Sequence, residues 1–352
     1  MQIEELVAKY HWLQIGADGV LEMYLDHHSL STFRQCEAAF ELSIMANVKS
    51  KHKSWNLEFG IIFHKMVETF YILKKAGSYE LTPWSQYAGE LWIERNMDEQ
   101  FKEHKMYKTL GGLPGFMAMM GQYANHFAAE MDRLRVIGIE ITFGKQKEVP
   151  LGSFYCETYY CPRQPYPNNP LFAYQNDTVR CYLTGRIDFL MDSGSAIGPL
   201  DHKTTAFIRD NPANSYDPQE GMTGYIYASQ RIIKDKFPEL LNTRKVDRIW
   251  LNFAQIAPEQ DAMKRFRRIP IYKTDYQLEE FRKRQLRTFN KIYDILILGE
   301  RPDWNTSVCN NMFHSECQFR NLHRQNTASA MLQVLNSDFT VEKPWNPETV
   351  DD

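Results

Sequence analysis

Residues 184–207 read TGRIDFLMDSGSAIGPLDHKTTAF. Two short apolar runs, 186–192 and 199–205, flank a segment rich in Gly and Ser, which is the pattern of a β-hairpin. Each run carries an acid, Asp188 and Asp201, where an apolar residue would suit a core better, and Lys203 follows two positions after the second. Side chains two apart on a strand share a face, so Lys203 stands beside Asp201. Two acids on adjacent strands repel unless a cation neutralises them, and carboxylate oxygens suit Mg²⁺ or Mn²⁺. A lysine next to such a cation can meet a phosphate or an attacking water, a grouping fit for metal-assisted phosphodiester hydrolysis. The competing reading is a pair of edge-strand or turn acids with Lys203 as a solvated partner. D-x-K is a common tripeptide, and the hairpin alone leaves the two readings level.

The rest of the chain sets bounds. Its 352 residues suffice for one large domain or two ordinary ones, and 43% hydrophobic with 24% charged residues is a soluble globular profile. A formal net charge of -3 excludes a generally basic nucleic-acid binder, so an anionic partner needs a local basic patch. No apolar run approaches the ~18 residues of a membrane span. The N-terminal MQIEELVAKYHWLQ is acidic and amphipathic, unlike a signal peptide, so the expected location is the cytoplasm. Six Cys in such a chain favour thiols or metal ligands over disulfides.

Residues 1–28 read as an N-terminal arm or helix. A helix follows with Ser29 and Ser31 as caps, then another over 57–77 ended by Gly77, then mostly helix over 84–136 with a break at GGLPG. The texture turns to strand at about 137, to a Pro- and Asn-rich loop over 156–180, and then to the hairpin. A helix over 216–237, strands over 246–256 and 265–272, and a long helix over 275–299 complete the order. This predicts an α/β fold: a short mixed sheet flanked by helices, with an N-terminal helical region (1–136), a core (137–300), a Cys-containing segment (301–325) and a tail (326–352).

In these residues the hairpin resembles the core of the PD-(D/E)xK nucleases, in particular their RecB-like branch of AddB-type recombination nucleases, CRISPR adaptation exonucleases and phage exonucleases. The family's G-x-x-D and (D/E)-x-K correspond to Gly185–Asp188 and Asp201–Lys203, with KTT following the acid. FGIIFHKMVE resembles the branch's G-x-x-x-H helix, PQEGMTGYIYAS its Gln/Tyr helix, and SLSTFRQCEAAFEL its N-terminal segment. The matches run in family order from about residue 29 to 325. The resemblance implies a restriction-endonuclease-like core. It makes His64, Asp188 and Asp201, with the His202 carbonyl, holders of Mg²⁺ or Mn²⁺. Lys203 would position or activate water, and Tyr225 and Gln219 would support Lys203 and the DNA. Gln219 lies six residues before Tyr225, where the family places its Gln four before; position 221 is Gly. Taken alone, His64 reads as a core histidine on an amphipathic helix before it reads as a ligand, and Glu68, one turn on, as a solvated acid rather than an orienting partner.

Many RecB-like nucleases hold a four-iron cluster on one Cys before the core and three after it. The resemblance assigns Cys36, Cys309 and Cys317 to it, and CQFRNLH puts His323 where the last Cys stands. Zinc would also accept three Cys and one His, and loss of the metal is the third alternative. His314 competes as fourth ligand. Cys156, Cys161 and Cys181 read as ordinary thiols and His27–His28 as a surface pair.

Residues 264–291 are strongly basic: Arg265, Arg267, Arg282, Arg284 and Arg287 suit phosphate contacts, and Phe266, Phe281 and Phe289 suit either base stacking or core packing. The resulting expectation is a metal-dependent DNA exonuclease in recombination, repair or phage DNA processing. It would act on DNA that is single-stranded or has free ends, with no membrane association and with a helicase or recombinase as a candidate partner. The alternatives are a non-catalytic DNA-binding or assembly subunit on the same fold, and a zinc hydrolase using His64, His202 and the acids.

Overall fold

The computed structural model describes residues 3–51, 55–77, 81–96, 102–131, 134–144, 149–155, 178–208, 210–257, 261–299, 302–309 and 317–342. In chain order these form α1 (Ile3–Lys9), β1 (Leu13–Ile15), β2 (Leu21–Asp26), α2 (His27–Gln35), α3 (Glu37–Phe40), β3 (Val48–Ser50), α4 (Trp55–Lys75), α5 (Leu81–Asn96), α6 (Lys105–Leu110) and α7 (Gly112–Met131). Then come β4 (Arg135–Phe143), β5 (Val149–Tyr155), β6 (Thr178–Asp192), β7 (Ile197–Thr205), α8 (Ala213–Tyr216), α9 (Glu220–Lys236), β8 (Arg248–Gln255), α10 (Ala262–Arg265), β9 (Phe266–Tyr272) and α11 (Asp275–Leu298). Helices α12 (Arg320–His323) and α13 (Ala328–Asp338) and strand β10 (Phe339–Val341) close the described chain. The protein is a mixed α/β fold, as the order of patterns implies.

The chain divides into two compact units: residues 1–53, 143–185 and 279–352 in one, and 54–142 and 186–278 in the other. His64 and the two hairpin acids fall in the same unit, whereas Cys36 and the C-terminal Cys segment share the other. The linear ranges 1–136 and 137–300 each contribute to both.

In the first unit β1 and β2 form an antiparallel hairpin whose turn carries Gly19 at φ +82°, a left-handed conformation that favours glycine. β2 runs parallel to the first half of β6, and β5 runs antiparallel along the same segment. This hairpin corrects the reading of 1–28 as an arm or helix; its signal was the ADG turn. The helix expected across 29–45 is broken at Cys36, which is extended at φ -160°. Its N-cap is neither Ser29 nor Ser31. Asp26 caps it, accepting from the Ser29 N–H at 2.6 Å, because α2 starts two residues earlier.

In the second unit β6 pairs antiparallel with β7, β7 parallel with β8, and β8 antiparallel with β9. Alternation sorts the side chains of β6. Phe189 and Met191 join Leu200 in a core with Phe59, Phe63, Val67 and Tyr71 of α4 and Met120, Tyr123 and Phe127 of α7. Leu190 faces the other way, with Ile197, Val246 and Ile233 of α9. The sheet is thus covered on both faces, and residues 197–202 of β7 and 251–254 of β8 are buried. Gly198 permits the close β7–β8 approach: a Cβ there would stand 2.3 Å from the Arg248 carbonyl oxygen.

On the face of the sheet covered by α4 and α7 lies a buried polar chain. Arg268 Nε donates to Asn252 Oδ1 (2.6 Å), Asn252 Nδ2 to the Tyr123 hydroxyl (2.9 Å), and that hydroxyl lies 2.8 Å from His202 Nε2. Asn252 Nδ2, an amide nitrogen that can only donate, also lies 3.2 Å from His202 Nε2, so Nε2 is the acceptor and the imidazole proton sits on Nδ1. Burial, with the neighbouring His64 and Arg268 charges, holds His202 well below the usual histidine range.

Two outcomes follow. Gly198→Ala should destabilise the fold by about 1–3 kcal/mol or more, measured by chemical denaturation, because the clash is with backbone rather than a flexible side chain. Second, His202 stays neutral when folded but takes a proton when unfolded below about pH 6.5. The unfolded state then binds more protons, so this residue lowers stability as pH falls from about 6.5 toward its folded pKa. The loss of melting temperature between pH 7 and pH 5 should therefore be smaller in His202→Asn than in wild type.

Candidate metal centre

α4 brings His64 to the hairpin. Gly60, one turn earlier, lies against the end of β7: a Cβ there would sit 3.5 Å from Thr204 Oγ1. Asp188 lies on β6 next to the Phe189–Leu200 pair, and Asp201 follows Leu200 on β7, so the antiparallel register sets the two acids across from each other. Gly185, which opens the G-x-x-D run, has φ +156°, and a Cβ would meet the Phe143 ring at 2.9 Å. That position accepts no side chain.

One donor atom from each of His64, Asp188 and Asp201 lies within 4.8 Å of the others. His64 Nδ1 is 3.3 Å from Asp188 Oδ2, and its Nε2 donates to the His202 carbonyl at 2.8 Å. Lys203 Nζ is 2.7 Å from Asp201 Oδ2. Burial penalises every charge here, and the neighbours decide the outcome. Asp188 is pushed up by burial but pulled to about 2 by the His64 hydrogen bond and the His64 and Lys203 charges. Asp201 is raised, because burial and the Asp188 charge outweigh Lys203. Burial lowers His64 and Lys203, but the carboxylates beside each hold them above their ordinary values. The residues fit a divalent cation: a half-buried carboxylate, a buried one and an imidazole converge, the His202 carbonyl lies against the imidazole's Nε2, and the neighbouring positive charge now fills the role of counter-charge.

Three features of this region were not read from the sequence. Glu140 on β4 sits at φ +48° and pairs with Arg186 Nε at 2.7 Å. Burial and the Asp188 and Glu68 charges push its carboxyl up to about 7 despite Arg186. Tyr123 and Asn252 hold the His202 ring on the face opposite Asp201 and Lys203. Asn252, a polar residue inside the apolar run WLNFA, was the visible signal.

The remaining predicted residues separate. Tyr225 is half-buried on α9, while Gln219 stands exposed before that helix and donates to the Ser215 carbonyl at 2.9 Å, making no bond to Lys203. Tyr216 adds to the field that keeps Lys203 protonated. Glu68 pairs with Lys65 at 3.3 Å. In the first unit Cys36 and Cys317 are buried in one apolar cluster with Phe319 and Phe339, and Cys309 packs against it. Cys309 Sγ lies 4.0 Å from His323 Nδ1, and the Cys317 N–H donates to the Cys309 carbonyl at 2.9 Å. His323 Nε2 is buried with no partner among the described residues. Cys181 is buried, whereas Cys156, Cys161 and His314 lie outside the described residues.

The basic stretch divides as well. Phe266, Phe281 and Phe289 are fully buried, so they are core residues and not stacking surfaces. Arg265 bonds Gln122 and the Gln255 carbonyl, Arg267 the Asp210 carbonyl, and Arg282 Glu279 and the Leu151 carbonyl. Arg284 and Arg287 are exposed on α11.

No helix among the described residues is long and apolar enough to cross a membrane. No curated protein matches the chain in sequence. The family model of the PD-(D/E)XK nuclease superfamily matches residues 25–322, a span that takes in α4, the hairpin, α9 and the cysteine cluster. With that span, and with an aspartate on each hairpin strand, a lysine two residues past the second and a histidine closing the triangle, the chain belongs to the PD-(D/E)XK nuclease superfamily.

Proposed function

We propose that the protein is a Mg²⁺- or Mn²⁺-dependent DNA exonuclease of the RecB-like branch, serving recombination, repair or phage DNA processing in the cytoplasm. The observation that carries this reading is the convergence of His64, Asp188 and Asp201 within 4.8 Å, with Lys203 Nζ 2.7 Å from Asp201. His64, the two carboxylates and the His202 carbonyl would hold the cation. When bound, it supplies positive charge to the phosphoryl oxygens and lowers the pKa of coordinated water. Asp188, ionised far below neutrality, stays a ligand at any working pH. His64 gives up one ring proton to ligate. Lys203 keeps its proton and orients the attacking water or the phosphate oxygen next to Asp201. The Arg268–Asn252–Tyr123 chain pins the His202 ring, and with it the backbone that presents Asp201 and Lys203. Tyr225 and Gln219 are assigned to the DNA side of Lys203.

We further propose that Cys36, Cys309, Cys317 and His323 hold a four-iron cluster, zinc being the alternative. Their clustering around one apolar centre and the partnerless His323 Nε2 support a shared metal, which would tie the N-terminal segment to the C-terminal one.

End-labelled single- and double-stranded DNA should be degraded with Mn²⁺ and left intact with EDTA. A covalently closed circle should survive if the action is exonucleolytic. Lys203→Ala and Asp201→Asn should each lower the rate by roughly 10²-fold or more while leaving the circular dichroism spectrum unchanged. A wild type that never cuts overturns the reading. Protein purified without oxygen should contain iron and absorb in the visible, and Cys317→Ala should lose both; zinc in place of iron selects the alternative, and no metal in wild type overturns the site.

A further inference from the structure

The first unit contains a cavity of about 590 Å³ between the end of α2, one face of α11 and residues 303–305. This volume lies in the ~300–1,000 Å³ range of sites that enclose small ligands. Four cations line it: Arg34, Arg284, Arg287 and Lys291. Two acids, Glu37 and Asp303, line it too, leaving a surplus of two positive charges. Glu37 Oε2 already accepts the Asp303 N–H at 3.0 Å.

The cations are arranged, not scattered. Arg284, Arg287 and Lys291 are spaced three and four apart, so they share one face of α11 over about 10 Å. Arg34 faces them from α2 and is held by two buried α11 side chains, donating to Gln285 Oε1 at 2.8 Å and to Thr288 Oγ1 at 3.1 Å. The cavity also has an aromatic wall. Trp304 is 48% exposed, and its ring is supported by the His323 ring at 4.1 Å. A row of cations long enough for successive phosphates, beside a supported and exposed indole, matches the chemistry of single-stranded nucleic acid: phosphates on arginine and lysine, a base on the aromatic face. A duplex has its bases paired and stacked, and the cavity is too small to admit it.

We propose that this cavity binds a short stretch of single-stranded DNA, with successive phosphates on Arg284, Arg287 and Lys291 and Arg34 and one base stacked on Trp304. The identity of the strand as DNA rests on the nuclease reading above; the phosphate-and-base chemistry does not. None of these residues belongs to the His64–Asp188–Asp201 centre.

The test is fluorescence anisotropy of a labelled single-stranded oligonucleotide with the full chain in EDTA, across a salt series. Replacing the exposed pair together, Arg287→Ala with Lys291→Ala, should weaken binding about tenfold or more. It should also flatten the dependence of log K on log salt by about 1.4, since each single-strand phosphate contact contributes about 0.7. Trp304→Ala should weaken binding about tenfold with the salt slope unchanged, and Trp304→Phe should restore most of it. Wild-type affinity and slope in the double variant overturn the proposal. So does displacement of the strand by inorganic phosphate or duplex DNA as readily as by unlabelled single strand. Hydrolysis of bis(p-nitrophenyl) phosphate with Mn²⁺ separates this from the nuclease reading, because that substrate needs the metal centre alone. Hydrolysis with no effect of the cavity variants on strand binding removes the proposal and leaves the nuclease. Strand binding through the cavity without hydrolysis of either substrate does the reverse.

Discussion

Two carboxylates that face each other, one buried and one half-buried, are the constraint on which the second unit depends. Burial and mutual repulsion both oppose ionisation of Asp188 and Asp201. Asp188 nevertheless sits at about 2 because His64 bonds it, whereas Asp201, farther from that support, is raised even with Lys203 at 2.7 Å. The asymmetry divides the site. One acid is a permanent anion, and the other has an affinity for positive charge that its own lysine does not satisfy. A divalent cation resolves both demands at once.

The surroundings serve that arrangement. α4 lies against the end of β7 with Gly60 beside Thr204, and this brings His64 within reach of both Asp188 and the His202 carbonyl. On the far side of the same strand His202 is locked by Tyr123 and Asn252. The middle residue of D-x-K therefore has a structural task of its own. Glu140 stores strain at φ +48° beside Arg186, a cost of about 1–3 kcal/mol that the surrounding contacts must over-determine.

The basic stretch shows how far a one-dimensional pattern carries. Alternating Arg and Phe over 264–291 admits a stacking surface but reads first as the two faces of a helix or strand. The second is what occurs: Phe266, Phe281 and Phe289 fill cores, and most of the arginines bond carbonyls or nearby side chains. The positions left exposed, Arg284 and Arg287, gain meaning from Arg34, Lys291 and Trp304, which are brought to them by folding. The β1–β2 hairpin is faint in the sequence because its strands are short and its flanking residues equally suit a helix; its parallel pairing with β6 is non-local and leaves no mark in either segment.

What the sequence by itself determined is local and periodic. It specified the hairpin, because period two and a Gly–Ser turn require only neighbours. It specified the α4 and α9 helices, and it marked Asp188, Asp201 and Lys203 as a candidate site, because acids inside apolar strands demand a counter-charge. Tertiary structure decided what depends on distance in space: the locking of His202, the break of the N-terminal helix at Cys36, the field of Glu140 on Asp188's surroundings, and which cations face an open cavity. A pattern along the chain states which side of an element is apolar. Only packing states which other element covers it, and hence which polar atoms are left facing each other.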